Sequence, residues 1–115
     1  MKRALLLFIV SSLVALLLTS SAPARADATR ITVSMTEFKF ALSKKGVRKG
    51  TVSFKVVNDG AIAHDFKIKG KKTPVYEADK GGVLRVTFKK AGRYKFVCTL
   101  PGHEAAGMKG TLKVT

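Results

Sequence analysis

Three side chains that bind soft or borderline metal ions lie in one short segment near the end of the chain. Cys98, His103 and Met108 are each separated by four residues, so a thiolate, an imidazole and a thioether share a single loop. A second imidazole, His64, lies on the predicted inward face of a strand further upstream. If these strand ends meet at one pole of the fold, all four side chains can reach one metal ion.

The donor set indicates which metal would be bound. Two imidazoles, one thiolate and a weak thioether are the ligands of trigonal blue-copper sites. Thiolate and thioether suit Cu(I) and imidazole suits Cu(II), so both oxidation states are accommodated. Structural zinc sites more often use four strong ligands, and magnesium and calcium prefer oxygen ligands, which do not cluster here. The sequence therefore predicts one type 1 copper ion as the cofactor, a site that zinc could also enter adventitiously.

The inventory of metal-binding residues excludes several kinds of enzyme. The chain has two histidines and one cysteine, and the predicted site uses all three. A copper oxidase or nitrite reductase would need further histidines, and a thiolate-bridged binuclear centre would need a second cysteine. No Ser–His or second Cys–His arrangement remains for acyl transfer. We therefore expect no enzymatic turnover by this chain on its own.

Short strands are predicted to position these residues. Apolar and polar residues alternate, and turn signals such as Asn58-Asp59-Gly60 and Ala91-Gly92 separate the alternating runs. The pattern predicts an all-β fold, a Greek-key β-sandwich of about seven to eight strands with one apolar face of each strand inward. The runs with a predicted inward face span residues 31–35, 38–42, 52–56, 64–68, 84–88, 94–98 and 112–114.

The start of the chain has the features of an export signal. Two basic residues precede an apolar run over residues 4–18, and residues 24–26 have the A-x-A form of a cleavage site. We predict a secretory signal peptide over residues 1–26, one domain over residues 27–115, and a periplasmic or otherwise exported product. An uncleaved membrane anchor is the alternative, but the apolar run is shorter than the about 20 residues of a spanning helix.

The chain is strongly basic, with a net charge of +15. Such a surface attracts anionic partners and repels copies of itself, which favours a monomer. Nucleic acid is not an expected partner of an exported protein, and no membrane insertion is expected after signal cleavage. Two explanations of the lysines stay open: they solvate the outer faces of strands and discourage edge pairing, or they also steer an acidic partner.

The metal-binding segment resembles that of the cupredoxins, the family of plastocyanin, azurin and auracyanin. The resemblance rests on Cys98-x4-His103-x4-Met108 with the upstream His64, and on Asn58-Asp59-Gly60-x3-His64, which is similar to the family's first-ligand region. It covers essentially the whole predicted domain and implies the cupredoxin fold. By this resemblance, His64, Cys98 and His103 are the equatorial copper ligands and Met108 is the axial ligand.

The same resemblance implies a function. A cupredoxin of this size would shuttle single electrons through Cu(I)/Cu(II) between redox proteins, such as cytochromes or a copper-containing or haem oxidase or reductase with acidic surfaces. A periplasmic copper storage or delivery protein is the alternative, although the chain lacks a Met- or His-rich tract, and a metal-free interaction domain is a third possibility. Electrons would pass through His103 and an apolar partner patch of Leu100, Pro101, Ala105 and Ala106.

One position departs from the family's pattern. The residue after the first histidine is usually asparagine in the better-known members, and here it is Asp65. Asp65 either braces the cysteine loop through a hydrogen bond near Thr99 or lies exposed on the outer face of its strand. A carboxylate near the thiolate would favour the oxidised metal and lower the reduction potential.

Overall fold

The structure is a computed structural model that describes residues 28–115. Within this range the chain forms strands and turns, and no helix there is long and apolar enough to span a membrane. The predicted signal peptide lies outside the described residues. The strands are β1 (Thr29–Thr36), β2 (Lys39–Leu42), β3 (Gly46–Val47), β4 (Gly50–Asn58), β5 (Lys67–Ile68), β6 (Lys71–Lys72), β7 (Gly81–Phe88), β8 (Gly92–Val97) and β9 (Lys109–Val114).

The strands form two sheets, and the prediction of an all-β sandwich is confirmed. One sheet has the order β2-β1-β4-β7 and the other has the order β3-β9-β8-β5-β6. β1 pairs in parallel with β4, whereas β8 and β9 form the antiparallel pair that flanks the predicted metal loop. The described residues contain nine strands, one more than the upper end of the predicted seven to eight. The strands β3 and β6, each of two residues, lie outside the runs that were predicted from alternation.

The core lies between the sheets and follows the predicted period of two. Ile31, Val33 and Met35 of β1 are fully buried, while Thr32 and Thr36 between and after them are exposed. Burial of these aliphatic side chains is the main force that holds the strands face to face. The fully buried core also includes Val52, Phe54, Val56, Phe66, Ile68, Phe88, Met108 and Leu112.

Two predicted faces are wrong. Phe38 was expected inward, but it is the second residue of the turn between β1 and β2, with φ of 56°, and is 37% exposed. Alternation over residues 64–68 indicates an outward face for Asp65, one of the two alternatives left open above, but Asp65 is fully buried. The alternation fails there because the chain leaves the sheet: His64 makes a single bridge with Tyr76, and regular pairing starts only at Lys67.

Candidate metal centre

Three of the four predicted metal-binding side chains meet at one pole of the sandwich. The donor atoms of His64, Cys98 and His103 all lie within 4.8 Å of one another. Nδ1 of His103 is 3.2 Å from Nδ1 of His64 and 3.5 Å from Sγ of Cys98. Ligands held about 2.0–2.3 Å from one ion in a trigonal plane are themselves roughly 3.5 Å apart. The cluster therefore has the dimensions of a single metal site.

The loop that carries Cys98, His103 and Met108 closes on itself through its backbone. It connects the end of β8 to the start of β9. The Cys98 N–H donates to the Met108 carbonyl at 3.1 Å, and the Met108 N–H donates to the His103 carbonyl at 3.0 Å. Positive φ angles at Gly102 and Gly107, 80° and 112°, allow the tight path. These bonds hold the backbone of the fully buried Met108 next to Cys98 and His103.

His64 is held by a different segment, the connection between β4 and β5. Asn58, which is fully buried, donates its side-chain amide to the carbonyls of Ile62 and Tyr76, each at 2.8 Å. Its Oδ1 accepts from the Gly60 N–H at 2.9 Å. His64 and Tyr76 exchange two backbone hydrogen bonds, at 2.8 and 3.1 Å. The predicted turn at Asn58 is therefore a hydrogen-bonded arch that presents a completely buried imidazole.

Sequence reasoning missed Glu37, which contacts His64 from the turn between β1 and β2. Glu37 Oε1 lies 3.1 Å from His64 Nε2, the ring nitrogen that faces away from the cluster. The same oxygen accepts the N–H of Ala61 at 2.8 Å and of Ile62 at 3.2 Å. The Ile62 N–H, His64 and the Ala61 N–H hold the pKa of Glu37 below its ordinary value. The sequence contains only seven acidic residues, so each of them was a candidate for a specific role, and this was the available signal for Glu37.

Asp65 connects the arch to the metal loop. Its Oδ1 accepts the Thr99 N–H at 2.6 Å, its Oδ2 accepts the Thr99 hydroxyl, and its own N–H points at Cys98 Sγ at 3.5 Å. The Lys72 ammonium is 3.9 Å from Oδ2 and partly balances the buried charge. The exposed alternative for Asp65 is wrong, and the residue instead ties together the segments that carry His64 and Cys98.

The environment of Cys98 disfavours a free thiolate, so the side chain would become a thiolate only when a metal binds. Burial raises the pKa of the Cys98 thiol, and the backbone donors of Asp65 and Leu100 oppose that effect only in part. Without a metal, this residue is therefore a neutral thiol at pH 7, unlike the exposed, low-pKa cysteines of redox enzymes. A bound cation would stabilise the thiolate and displace the proton.

The surface around His103 is apolar. The His103 ring is half-buried, and the Phe38 ring packs against it in a T-shaped arrangement, with ring centroids 5.1 Å apart and an interplanar angle of 88°. Leu100 is half-buried in this loop, and Pro101, Ala105 and Ala106 are exposed. Sequence reasoning missed two large apolar side chains near the same pole: Phe38 and Ile62, the latter 43% exposed.

Fold and site together define a class: a small β-sandwich in which a buried arch and a surface loop bring two imidazoles and one cysteine sulfur together as a metal site. A model of the cupredoxin-like domain matches residues 8–114, and the chain belongs to this family. The predicted resemblance is thus confirmed. The imidazole, thiolate and thioether donors fit copper, and the cofactor of this site is a type 1 copper ion.

Three relatives are similar in sequence. Auracyanin-B of Chloroflexus aurantiacus is 44% identical over 43 residues, 37% of this chain and 18% of the relative. The blue copper protein of Pisum sativum is 44% identical over 67 residues, 51% of this chain and 35% of the relative. The copper-resistant cuproprotein CopI of Rubrivivax gelatinosus is 30% identical over 113 residues, 79% of this chain and 68% of the relative. The chain thus spans well under half of the first two relatives.

Solved structures share the fold. The dithionite-reduced auracyanin of Roseiflexus castenholzii matches with a TM-score of 0.65 and 23% identity, over 78% of this chain and 99% of that one. Auracyanin B matches with a TM-score of 0.66 and 20% identity, over 79% and 91%. At this identity the likeness concerns the fold.

Proposed function

We propose that this protein is an exported type 1 copper protein that carries single electrons between redox partners. The observation that supports this most is the close cluster of His64, Cys98 and His103, with Met108 held beside it by backbone hydrogen bonds. The first three would be the equatorial ligands and Met108 the axial one. Bound copper would supply the Cu(I)/Cu(II) couple.

The chain's own contribution is to keep the donor atoms in place in both oxidation states. His64 and Cys98 are buried, so solvent is excluded from most of the site. Asp65, Thr99 and the arch around Asn58 fix the two segments relative to each other. A ligand set that does not move needs little rearrangement when an electron arrives, which favours rapid transfer.

The half-buried His103 is the proposed exit and entry point for electrons. We propose that partners dock on the apolar surface formed by Leu100, Pro101, Ala105, Ala106, Phe38 and Ile62. Redox encounters of this kind are small, below about 1,200 Å². An apolar contact of that size can form and separate quickly without a permanent complex.

The basic surface supports an acidic partner. Lys67, Arg93, Lys95, Lys109 and Lys113 are all exposed on the five-stranded sheet, and of these Lys95 is paired with Glu104 at 2.6 Å. The rate of electron transfer to an acidic cytochrome is expected to fall as salt is raised from low to physiological ionic strength. Stopped-flow absorbance measures this rate, and a rate independent of salt would contradict electrostatic steering.

The visible spectrum tests the proposed copper centre. Addition of Cu(II) to the purified domain is expected to give an intense thiolate-to-copper absorption band in the orange region. Cys98→Ser is expected to lose this band while retaining the far-ultraviolet circular dichroism of a β-sandwich. A wild-type protein that binds Cu(II) without the band would contradict the proposed ligand set.

Copper handling is a second candidate, favoured by one comparison. The similarity to CopI, a copper-resistant cuproprotein, extends over 79% of this chain. A storage or delivery protein should release Cu(I) rapidly to a mild chelator and fail to transfer electrons to cytochromes. An electron carrier should retain Cu(I) under the same conditions and should reduce or oxidise a cytochrome repeatedly.

Export is part of the proposal. The A-x-A site over residues 24–26 supports cleavage after Ala26 and a mature domain over residues 27–115 that works as a monomer outside the cytoplasm. Mass spectrometry of the protein recovered from a secreting host tests this, since a mature chain is expected to begin at Asp27. Recovery of the whole chain in the membrane fraction would instead support the anchor.

A further inference from the structure

The turn between β1 and β2 contacts both imidazoles of the proposed copper site. Thr36 pairs with Lys39, so the turn consists of Glu37 and Phe38 alone. Glu37 touches His64, and Phe38 touches His103. Neither residue belongs to the arch or to the metal loop, so a third element reaches the site from the side.

Hydrogen bonds and the space at Gly60 fix the position of the Glu37 carboxylate. One oxygen meets three nitrogens: His64 Nε2 and the backbone N–H groups of Ala61 and Ile62. Gly60 leaves the space for it, because a Cβ there would lie 2.3 Å from Glu37 Oε1 and 3.1 Å from His64 Nε2. Two consecutive N–H groups thus donate to one carboxylate oxygen, and the absence of a side chain at Gly60 leaves room for it, which a surface glutamate without a role would not need.

The Phe38 backbone is unfavourable for its residue type. A φ of 56° is readily adopted by glycine or asparagine and is a genuine outlier for a bulky side chain. Such strain is found where the surrounding structure requires it. Here it directs the Phe38 ring, which is 37% exposed, into a T-shaped contact with the His103 ring.

We infer that the Glu37–Phe38 turn is a clamp for the two copper-ligand imidazoles. Glu37 orients the His64 ring and places a negative charge beside it, and Phe38 restricts the rotation of the His103 ring. The inference rests on the proposed function, because it assumes that both histidines bind copper through Nδ1. A carboxylate that accepts the distal N–H of a ligand histidine fixes the tautomer and makes the ring a stronger donor.

The clamp has a consequence for the copper redox couple. A more basic His64 stabilises Cu(II) over Cu(I), so Glu37 lowers the reduction potential. Glu37→Gln keeps an oxygen acceptor for all three nitrogens and removes only the charge. We expect this change to shift the Cu(II)/Cu(I) equilibrium about tenfold toward Cu(I), which for one electron is a rise of about 59 mV.

Protein-film voltammetry of Glu37→Gln measures this shift, with Glu77→Gln as the matched control. Glu77 is an exposed glutamate whose conversion removes the same charge. A rise confined to Glu37→Gln supports the clamp, whereas equal shifts in both variants would show only a change in overall charge and overturn it. Unchanged potentials in both variants would overturn it as well.

Nuclear magnetic resonance of the Cu(I) protein tests the two halves of the clamp separately. Glu37→Ala is expected to broaden the imidazole signals of His64 and leave those of His103 sharp, and Phe38→Gly is expected to do the converse. Sharp signals for both rings in both variants would overturn the inference. Failure of the copper proposal is a different result, because the wild-type protein would then lack the thiolate-to-copper band altogether.

Discussion

The two segments that carry the proposed copper ligands are built in opposite ways. The arch that presents His64 is held by contacts from distant parts of the chain: Glu37 from one turn and Tyr76 from beyond β6. The metal loop over residues 98–108 is held mainly by its own backbone, with bonds from His103 to Leu100 and from Met108 to His103. His64 is fully buried, and His103 is half-buried.

We propose that this difference gives each segment a separate task. A ligand that is anchored by several elements of the fold can stay fixed while the metal changes charge. A ligand on a self-contained loop can lie at the surface, where a partner reaches it, without weakening the core. Asp65 and Thr99 join the two, so the half-buried His103 shares the rigidity of the buried His64.

The largest expected effect comes from breaking the arch. Asn58→Ala removes two donors and one acceptor in a fully buried position, which leaves at least the Ile62 carbonyl without its partner. We expect a loss of about 2–3 kcal/mol in the free energy of unfolding. Urea denaturation of the metal-free protein measures it.

A variant in the metal loop is the control for this urea denaturation. Glu104→Gln removes the exposed ion pair with Lys95, and exposed pairs contribute little to stability. Its urea midpoint is expected to match that of the wild type. If Asn58→Ala also matched the wild type, the arch would not be the anchored side of the site.

Asp65, which connects the two segments, is expected to tune the reduction potential of bound copper. Asp65→Asn keeps an acceptor for the Thr99 N–H but removes a buried negative charge next to the Cys98 sulfur. The loss of that charge favours Cu(I), and we expect the potential to rise by on the order of 60 mV, a tenfold change in the equilibrium. Voltammetry measures the shift.

The exposed carboxylate of the metal loop, that of Glu104, is the control for Asp65. Glu104→Gln removes an identical charge, but water and salt screen it. Its potential should change far less than that of Asp65→Asn. Equal shifts, or an unchanged potential in Asp65→Asn, would show that burial of Asp65 does not tune the copper.

The same contrast explains what could be predicted from the sequence. The metal loop is a local feature: its residues are close in sequence, and their types and spacing indicate its chemistry directly. The inward faces of the long strands were also predictable, since Ile31, Val33 and Met35 alternate with polar residues. Local patterns of this kind need no knowledge of which strands pair.

The contacts that brace His64 were not predictable in this way. Glu37 is 27 residues away from His64 and reaches it because β1 and β4 pair in parallel, with Met35 opposite Asn58. For Asp65, alternation alone indicated the exposed alternative, because it was extended past the point where pairing ends, whereas the hydrogen bond to Thr99 was the other alternative. Glu37 and Asp65 both occupy positions whose environment depends on long-range strand pairing rather than on neighbours in sequence.

The smallest expected effect concerns the surface of the metal loop around His103. Ala105→Gln places a longer polar side chain on the proposed docking surface beside His103. If that surface is the point of contact, partner binding weakens while the copper ligands stay in place. We expect the second-order rate of electron transfer to fall about fivefold, equivalent to roughly 1 kcal/mol, at an unchanged reduction potential.

Val83→Gln is the matched control for Ala105→Gln. Val83 is 62% exposed on β7, in the other sheet, so its replacement also adds a polar amide at the surface. Stopped-flow kinetics should show a wild-type rate for Val83→Gln and a slower rate for Ala105→Gln. A slower rate in both variants would mean that partners do not distinguish the two surfaces, and electron exit through His103 would lose its support.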